Sequence, residues 1–141
     1  MKQLGLVGLI LLICAVFTAC RTYVSEEECA SYDYSDCNTE KPLSGPLNIS
    51  LTINEQYPRV LVSLIQGRFE EGEVIWSDTL NVSDHTVNVD LNYYYTVTAT
   101  YIFGGDTIVA IDGDEVKSSS EAVCDSTCWT VREGTADVRL K

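Results

Sequence analysis

The sequence predicts an all-β protein, an antiparallel β-sandwich of seven or eight short strands. Three observations predict it. After Pro46, apolar and polar residues alternate with period two, the spacing that sets one side of a half-buried strand on a core. Turn-forming residues separate the alternating runs at short intervals. No stretch shows a convincing helical period, so helix content should be slight.

The first strand places Ile49, Leu51 and Ile53 on one side and Asn48, Ser50 and Thr52 on the other. Val60 to Ile65 is apolar on both sides except at Ser63, as suits a central strand. Gly67 to Gly72 forms an acidic loop, and Val74, Trp76 and Leu80 mark a third strand. After a polar connection from Asn81 to His85, Val87, Val89 and Leu91 mark a fourth. The strongest strand is Tyr95 to Phe103, with Tyr95, Val97, Ala99 and Tyr101 opposed to Thr96, Thr98 and Thr100. Gly104-Gly105 permits positive φ at both central positions of a tight hairpin, returning the chain through Thr107 to Ile111. Asp112-Gly113-Asp114-Glu115 reads as the end of that strand, and Val116 to Thr127 as a long polar connection. Trp129 and Val131, then Ala136, Val138 and Leu140, read as a closing hairpin turning at Glu133-Gly134.

Ahead of the sandwich stands an address. Met1-Lys2 supplies a positive charge, Leu4 to Val16 an apolar run of about thirteen residues, and Thr18-Ala19 the small side chains that a processing peptidase needs. The run is interrupted at Arg21, short of the roughly twenty apolar residues that a membrane-spanning helix requires. Residues 1–19 are therefore expected to be a signal peptide. Phe17-Thr18-Ala19-Cys20 resembles the lipobox of bacterial lipoproteins cut by signal peptidase II, with Phe17 replacing the usual leucine. That resemblance implies cleavage before Cys20 and a diacylglyceryl group on its thiol; several acyl chains together make anchoring stable where one does not. Arg21, instead of the aspartate that retains such proteins at the inner membrane of enteric bacteria, points to the outer membrane.

Residues 20–46 read as an acidic spacer ending in the breakers Pro42, Gly45 and Pro46, with the sandwich occupying 47–141. Removal of the signal leaves about 120 residues, one domain's worth. The formal charge of −12 repels phosphate backbones and anionic head groups, so nucleic acid is not an expected partner. Cys14 leaves with the signal and Cys20 is taken by lipid, which leaves Cys29, Cys37, Cys124 and Cys128 for two disulfides in an exported chain. Local pairs, Cys29 with Cys37 and Cys124 with Cys128, need only short loops and are the first expectation. A cross-pairing would stabilise more through the longer loop it closes. A four-cysteine zinc site is disfavoured, because seven residues between Cys29 and Cys37 do not suit a knuckle and the compartment oxidises thiols.

Val87 to Tyr101 resembles the corner and tyrosine strand of immunoglobulin and fibronectin type III-like domains, in which a corner tyrosine bonds back to the backbone. Tyr95-Thr96-Val97-Thr98-Ala99 is equally similar to a strand of transthyretin-like and carboxypeptidase regulatory-like sandwiches. The layout of lipobox, acidic spacer, sandwich and late cysteine pair resembles that of small lipoproteins of Bacteroidota-type envelopes.

Nothing in the chain spells out a reaction. His85, the single histidine, stands near Ser83 and Asp84 in an expected loop, without a nucleophile elbow. Asp112, Asp114 and Glu115 could gather oxygen ligands for calcium but do not match an EF-hand loop, and turn chemistry explains them more simply. Trp76 and Trp129 could stack on sugar, although alternation assigns both to the core. The sequence thus leads to a lipid-anchored, non-catalytic interaction or accessory module. No metal or cofactor is expected; its partners would be the membrane, through lipid, and an envelope protein or glycan. A structural subunit of an outer-membrane complex and a small glycan-binding or hydrolytic protein are the alternatives.

Overall fold

The computed structural model describes residues 29 to 141. The expected signal peptide, the lipobox and Cys20 lie outside the described residues. Residues 34 to 141 form one compact unit, a β-sandwich of eight strands preceded by a 3-10 turn at Tyr34–Asp36. The strands are β1 (Ser44–Ser50), β2 (Val60–Gln66), β3 (Glu73–Leu80), β4 (Asp84–Asp90), β5 (Tyr93–Phe103), β6 (Asp106–Val123), β7 (Ser126–Arg132) and β8 (Gly134–Asp137). One sheet has the order β4-β1-β8 and the other β3-β2-β5-β6-β7.

The period-two alternation builds the core as expected. Leu47 and Ile49 on one sheet, with Leu51 just beyond β1, meet Val60, Val62, Leu64, Tyr95, Val97, Ala99 and Tyr101 on the other, all buried. Two tyrosine hydroxyls find backbone partners inside or beside this core. Tyr95 Oη donates to the Asp90 carbonyl at 2.9 Å, closing the corner between β4 and β5, and Asn92 within that corner takes φ +66°, a conformation asparagine tolerates. Tyr101 Oη donates to the Val138 carbonyl at 2.8 Å and accepts from the Thr52 amide at 3.1 Å, so it joins the two chain segments that leave β1 and β8.

Several expectations are corrected. The folded unit starts before residue 47: the Cys37–Cys128 disulfide, the bridge between Asn38 and Trp129, and the inclusion of Ser44-Gly45-Pro46 in β1 draw residues 37–46 into the sandwich. Gly45 is no breaker here. A Cβ at that position would lie 2.6 Å from Val131 Cγ1 and 2.9 Å from Leu91 Cδ2, so glycine is what lets β1 approach its neighbours. The local disulfide pairing is also overturned, because Cys37 bonds Cys128 across 91 residues of sequence; Cys29 and Cys124 are disulfide-bonded as well.

The largest difference lies in β6. Asp112-Gly113-Asp114-Glu115 does not end a strand, and Val116 to Thr127 is not a polar connection. β6 runs unbroken for 18 residues, pairing first with β5 and then, from Lys117, with β7. Nor do β7 and β8 form a closing hairpin. β8 crosses to the smaller sheet and pairs with β1 in parallel, so the sandwich is not wholly antiparallel.

Candidate binding cleft and uncharged sheet face

The smaller sheet has three strands and the larger five, so one side of the sandwich is left partly open between the edge strands β3 and β4. Register decides what faces this opening. Ile49 pairs with His85 and Leu64 with Trp76, so both aromatic side chains take the inward side of their edge strands. There they stack across the two sheets, ring centroids 5.6 Å apart and planes inclined by 10°. The pair stands as a post at the open side. Beside it lies a cleft of about 360 Å³ floored by Leu64, Val87, Val89 and Tyr95 and edged by Gln66, Asn88 and Asp90.

Asn88 and Asp90 alternate with the inward Val87 and Val89, so their side chains lie on the outer side of the three-stranded sheet, where Asn88 Nδ2 donates to Ser44 Oγ at 2.9 Å; the Asp90 backbone carbonyl accepts from Tyr95 Oη. Burial, then the Asp90 charge, raises the Tyr95 hydroxyl above its ordinary pKa, so that group remains a donor across the physiological range.

A different surface covers the outside of the five-stranded sheet. Cross-strand partners share a face, so Leu61, Thr100 and Val109 form one row, Ser63, Thr98 and Ile111 a second, and Ile65, Thr96 and Gly113 a third. On β3, Thr79, Ser77 and Val74 extend these rows. Not one of these twelve residues carries a charge, in a chain with 21 acidic and nine basic residues. Leu61, Val109 and Ile111 stay close to half exposed, at 46%, 51% and 47%. At one end of the face Arg68 and Phe69 of the β2–β3 loop meet Tyr94, Thr96 and Ile111 around a hollow of about 430 Å³. The Tyr94 ring lies over Gly113, where a Cβ would come within 2.9 Å of Tyr94 Oη.

His85 belongs to β4 rather than a loop, and its ring is engaged with Trp76. Trp129 is half-buried with Lys41 Nζ 5.3 Å from its ring centroid. The carboxylates of Asp112, Asp114 and Glu115, which turn chemistry explained more simply than calcium, are used by the fold itself. Asp112 Oδ2 accepts from the Asp137 amide at 2.7 Å, while Asp114 accepts from the Thr135 amide at 3.2 Å and from both terminal nitrogens of Arg132. Glu115 pairs with Lys117 at 2.7 Å. Burial alone would raise the Asp114 carboxyl, but the hydrogen bonds from Arg132, Glu115 and Thr135 with the guanidinium charge hold it below its ordinary value. Among the described residues no group of three or more His, Cys, Asp or Glu side chains is arranged to hold a metal ion.

The chain matches no known family profile, no curated protein and no solved structure. Residues and geometry alone therefore carry the functional argument. The uncharged sheet face was missed in the sequence because its rows are assembled from four strands. The available signal was the Thr/Val/Ile composition of the outward positions in β5 and β6.

Proposed function

We propose that the protein is a non-catalytic interaction module held at the outer membrane by lipid on Cys20, and that the outer face of the five-stranded sheet is its docking surface. The observation that carries the reading is the absence of charge from twelve neighbouring outward positions of β2, β3, β5 and β6, with the charged pair Glu115 and Lys117 following on the same side of β6, in a chain of formal charge −12. Charge depletion is a signature of an interface core, and here Leu61, Val74, Val109 and Ile111 stand exposed among threonines and serines, while Ile65, Thr96 and Thr98 between them are buried. The lipobox-like Phe17-Thr18-Ala19-Cys20 supplies the anchor, and the remaining segment ahead of residue 34 sets the stand-off.

Two measurements test the reading separately. Intact mass of protein extracted from membranes should show a chain beginning at acylated Cys20; an unmodified chain with another start contradicts the anchor. Crosslinking in the native cell, with wild type and a Val109→Glu/Ile111→Glu variant in parallel, tests the face. An envelope protein attached to the wild type and lost from the folded variant is the predicted outcome. The same attachment in both contradicts the assignment of the surface.

A further inference from the structure

We infer that the free edge of β4 is a second docking site, independent of the outer sheet face, and that it accepts an extended segment of a partner protein as a fourth strand of the smaller sheet. The two sheets have four edges, β3, β4, β7 and β8. Three of them carry a device that blunts pairing with another chain. On β8 the carboxylates of Asp112 and Asp114 occupy the Asp137 and Thr135 amides. On β7 the Asn38 carbonyl takes the Trp129 amide, and the Cys37–Cys128 disulfide holds that segment in place. On β3 the Asp78 carboxylate accepts from the Thr79 amide at 2.7 Å, and its register with the buried Val62 sets an acid on the inward side of the strand. β4 has no such device among the described residues.

Register fixes which backbone groups this edge offers. Hydrogen bonds from Leu91 to Leu43 and from Leu51 to Ser83 flank the β1–β4 ladder, and in an antiparallel pair the bonded residues recur at every second position. The backbones of His85, Val87 and Val89 therefore bond to β1, while the amides and carbonyls of Thr86 and Asn88 point away from it. Among the described residues nothing meets those four groups. The Asp90 carbonyl on the same side is held by Tyr95 Oη, which marks where the free edge ends. A strand laid along this edge would extend the three-stranded sheet over β3. Its inward side chains would lie beside Val87 and Val89 and enter the cleft of about 360 Å³ against Leu64, Ile75 and Trp76. Apolar residues suit those two positions, and a small one suits the position beside His85, whose ring already covers Trp76. Charge then selects the occupant. On the outer side, Asp84 and Asp90 stand at the two ends of β4 with Thr86 and Asn88 between them. A second copy of a chain of formal charge −12 brings acid against acid, and this chain's own sequence ahead of residue 29 ends in Glu26-Glu27-Glu28. A partner segment with apolar alternation and Lys or Arg at its ends matches both sides of the edge.

The test is a titration of the isotope-labelled full-length chain in detergent, followed through its backbone amide signals. The probe is the end-blocked peptide KVTVTAK, with EVTVTAE as the acidic counterpart and KTVVATK as a control of the same composition without the alternation. Saturable shifts centred on β4 and slowed exchange at the Thr86 and Asn88 amides are expected with KVTVTAK, and both controls should bind about tenfold more weakly or less. Thr86→Pro removes an outward amide that β1 does not use, a change that an edge strand tolerates. Asp90→Lys reverses an exposed charge. Each should weaken KVTVTAK binding about tenfold or more while far-UV circular dichroism stays unchanged. The inference is overturned if KVTVTAK gives no saturable shift, if KTVVATK binds as tightly, or if both substitutions leave the affinity as it was. Sedimentation adds one more outcome: a wild-type dimer that Thr86→Pro dissociates would assign the edge to a second copy and overturn the choice of occupant. None of these results bears on the sheet face, which the Val109→Glu/Ile111→Glu comparison tests by itself.

Discussion

Single hydroxyls decide how firmly the two sheets are joined. Tyr101 is fully buried, and its Oη serves both the Val138 carbonyl and the Thr52 amide. Tyr101→Phe should cost about 1 to 3 kcal/mol, because it strands two backbone groups without water. Tyr95→Phe removes one bond, to a carbonyl on the exposed residue Asp90 that water can reach, and should cost only about 1 kcal/mol. Urea denaturation of both variants checks the ranking, which fails if Tyr95→Phe proves the more costly. Both tyrosines were legible from their phase in an alternating strand, and the Tyr95 corner from its place after Leu91. The bonds of Tyr101 were not, since Thr52 and Val138 lie 49 and 37 residues away. Gly113 was misread for a related reason. Glycine among acids signals a turn, yet here a Cβ would run into the Tyr95 carbonyl oxygen beneath the Tyr94 ring, and only the folded sheet reveals that crowding.

Among the elements, β6 and β8 explain each other. β8 pairs with β1 along one edge, and its amides at Thr135 and Asp137 are met by the carboxylates of Asp114 and Asp112, two residues apart on β6. The two side chains take the place of a missing neighbouring strand and satisfy donors that an edge would otherwise leave to water or to another chain. This accounts for acids on the inward side of a strand, a placement that alternation alone reads as a loop. Asp112→Ala should therefore speed hydrogen exchange at the Asp137 amide, and Asp114→Ala at Thr135, with the protection of β2 and β5 retained; unchanged exchange at both positions would contradict the latch. The pH dependence has a defined sign. The folded Asp114 carboxyl titrates below its ordinary 3.8, so its contribution is present above about pH 4 and is lost as pH falls through the depressed value. Arg139, through its side-chain and backbone hydrogen bonds, likewise lowers Asp137 to about 2. Acid titration followed by the β8 amide signals should show β8 loosening before the five-stranded sheet.

For the whole molecule, covalent closure and charge distribution matter most. The Cys37–Cys128 disulfide spans 91 residues and ties the segment ahead of β1 to β7. A loop of that size corresponds to as much as roughly 4.5 kcal/mol in the chain-entropy relation, and about 2 to 4 kcal/mol is the expected loss in a Cys37→Ser/Cys128→Ser variant. Denaturation of the oxidised protein and the variant checks it; equal midpoints would show that the closure contributes nothing. The pairing itself was not legible, because four cysteines allow three connectivities and only the fold brings Cys37 beside β7. The sandwich class was legible because every buried strand face repeats every second residue. Crossovers between the sheets were not, since alternation records which side of a strand is apolar and not which sheet it joins. The same limit hid the uncharged face assembled from β2, β3, β5 and β6. Oxidative footprinting of Phe69, Tyr94, Val109 and Ile111 in intact envelopes against the purified protein tests that surface most directly. The account predicts that these side chains react freely in the purified chain and are protected in the envelope, whereas equal reactivity in both would contradict it.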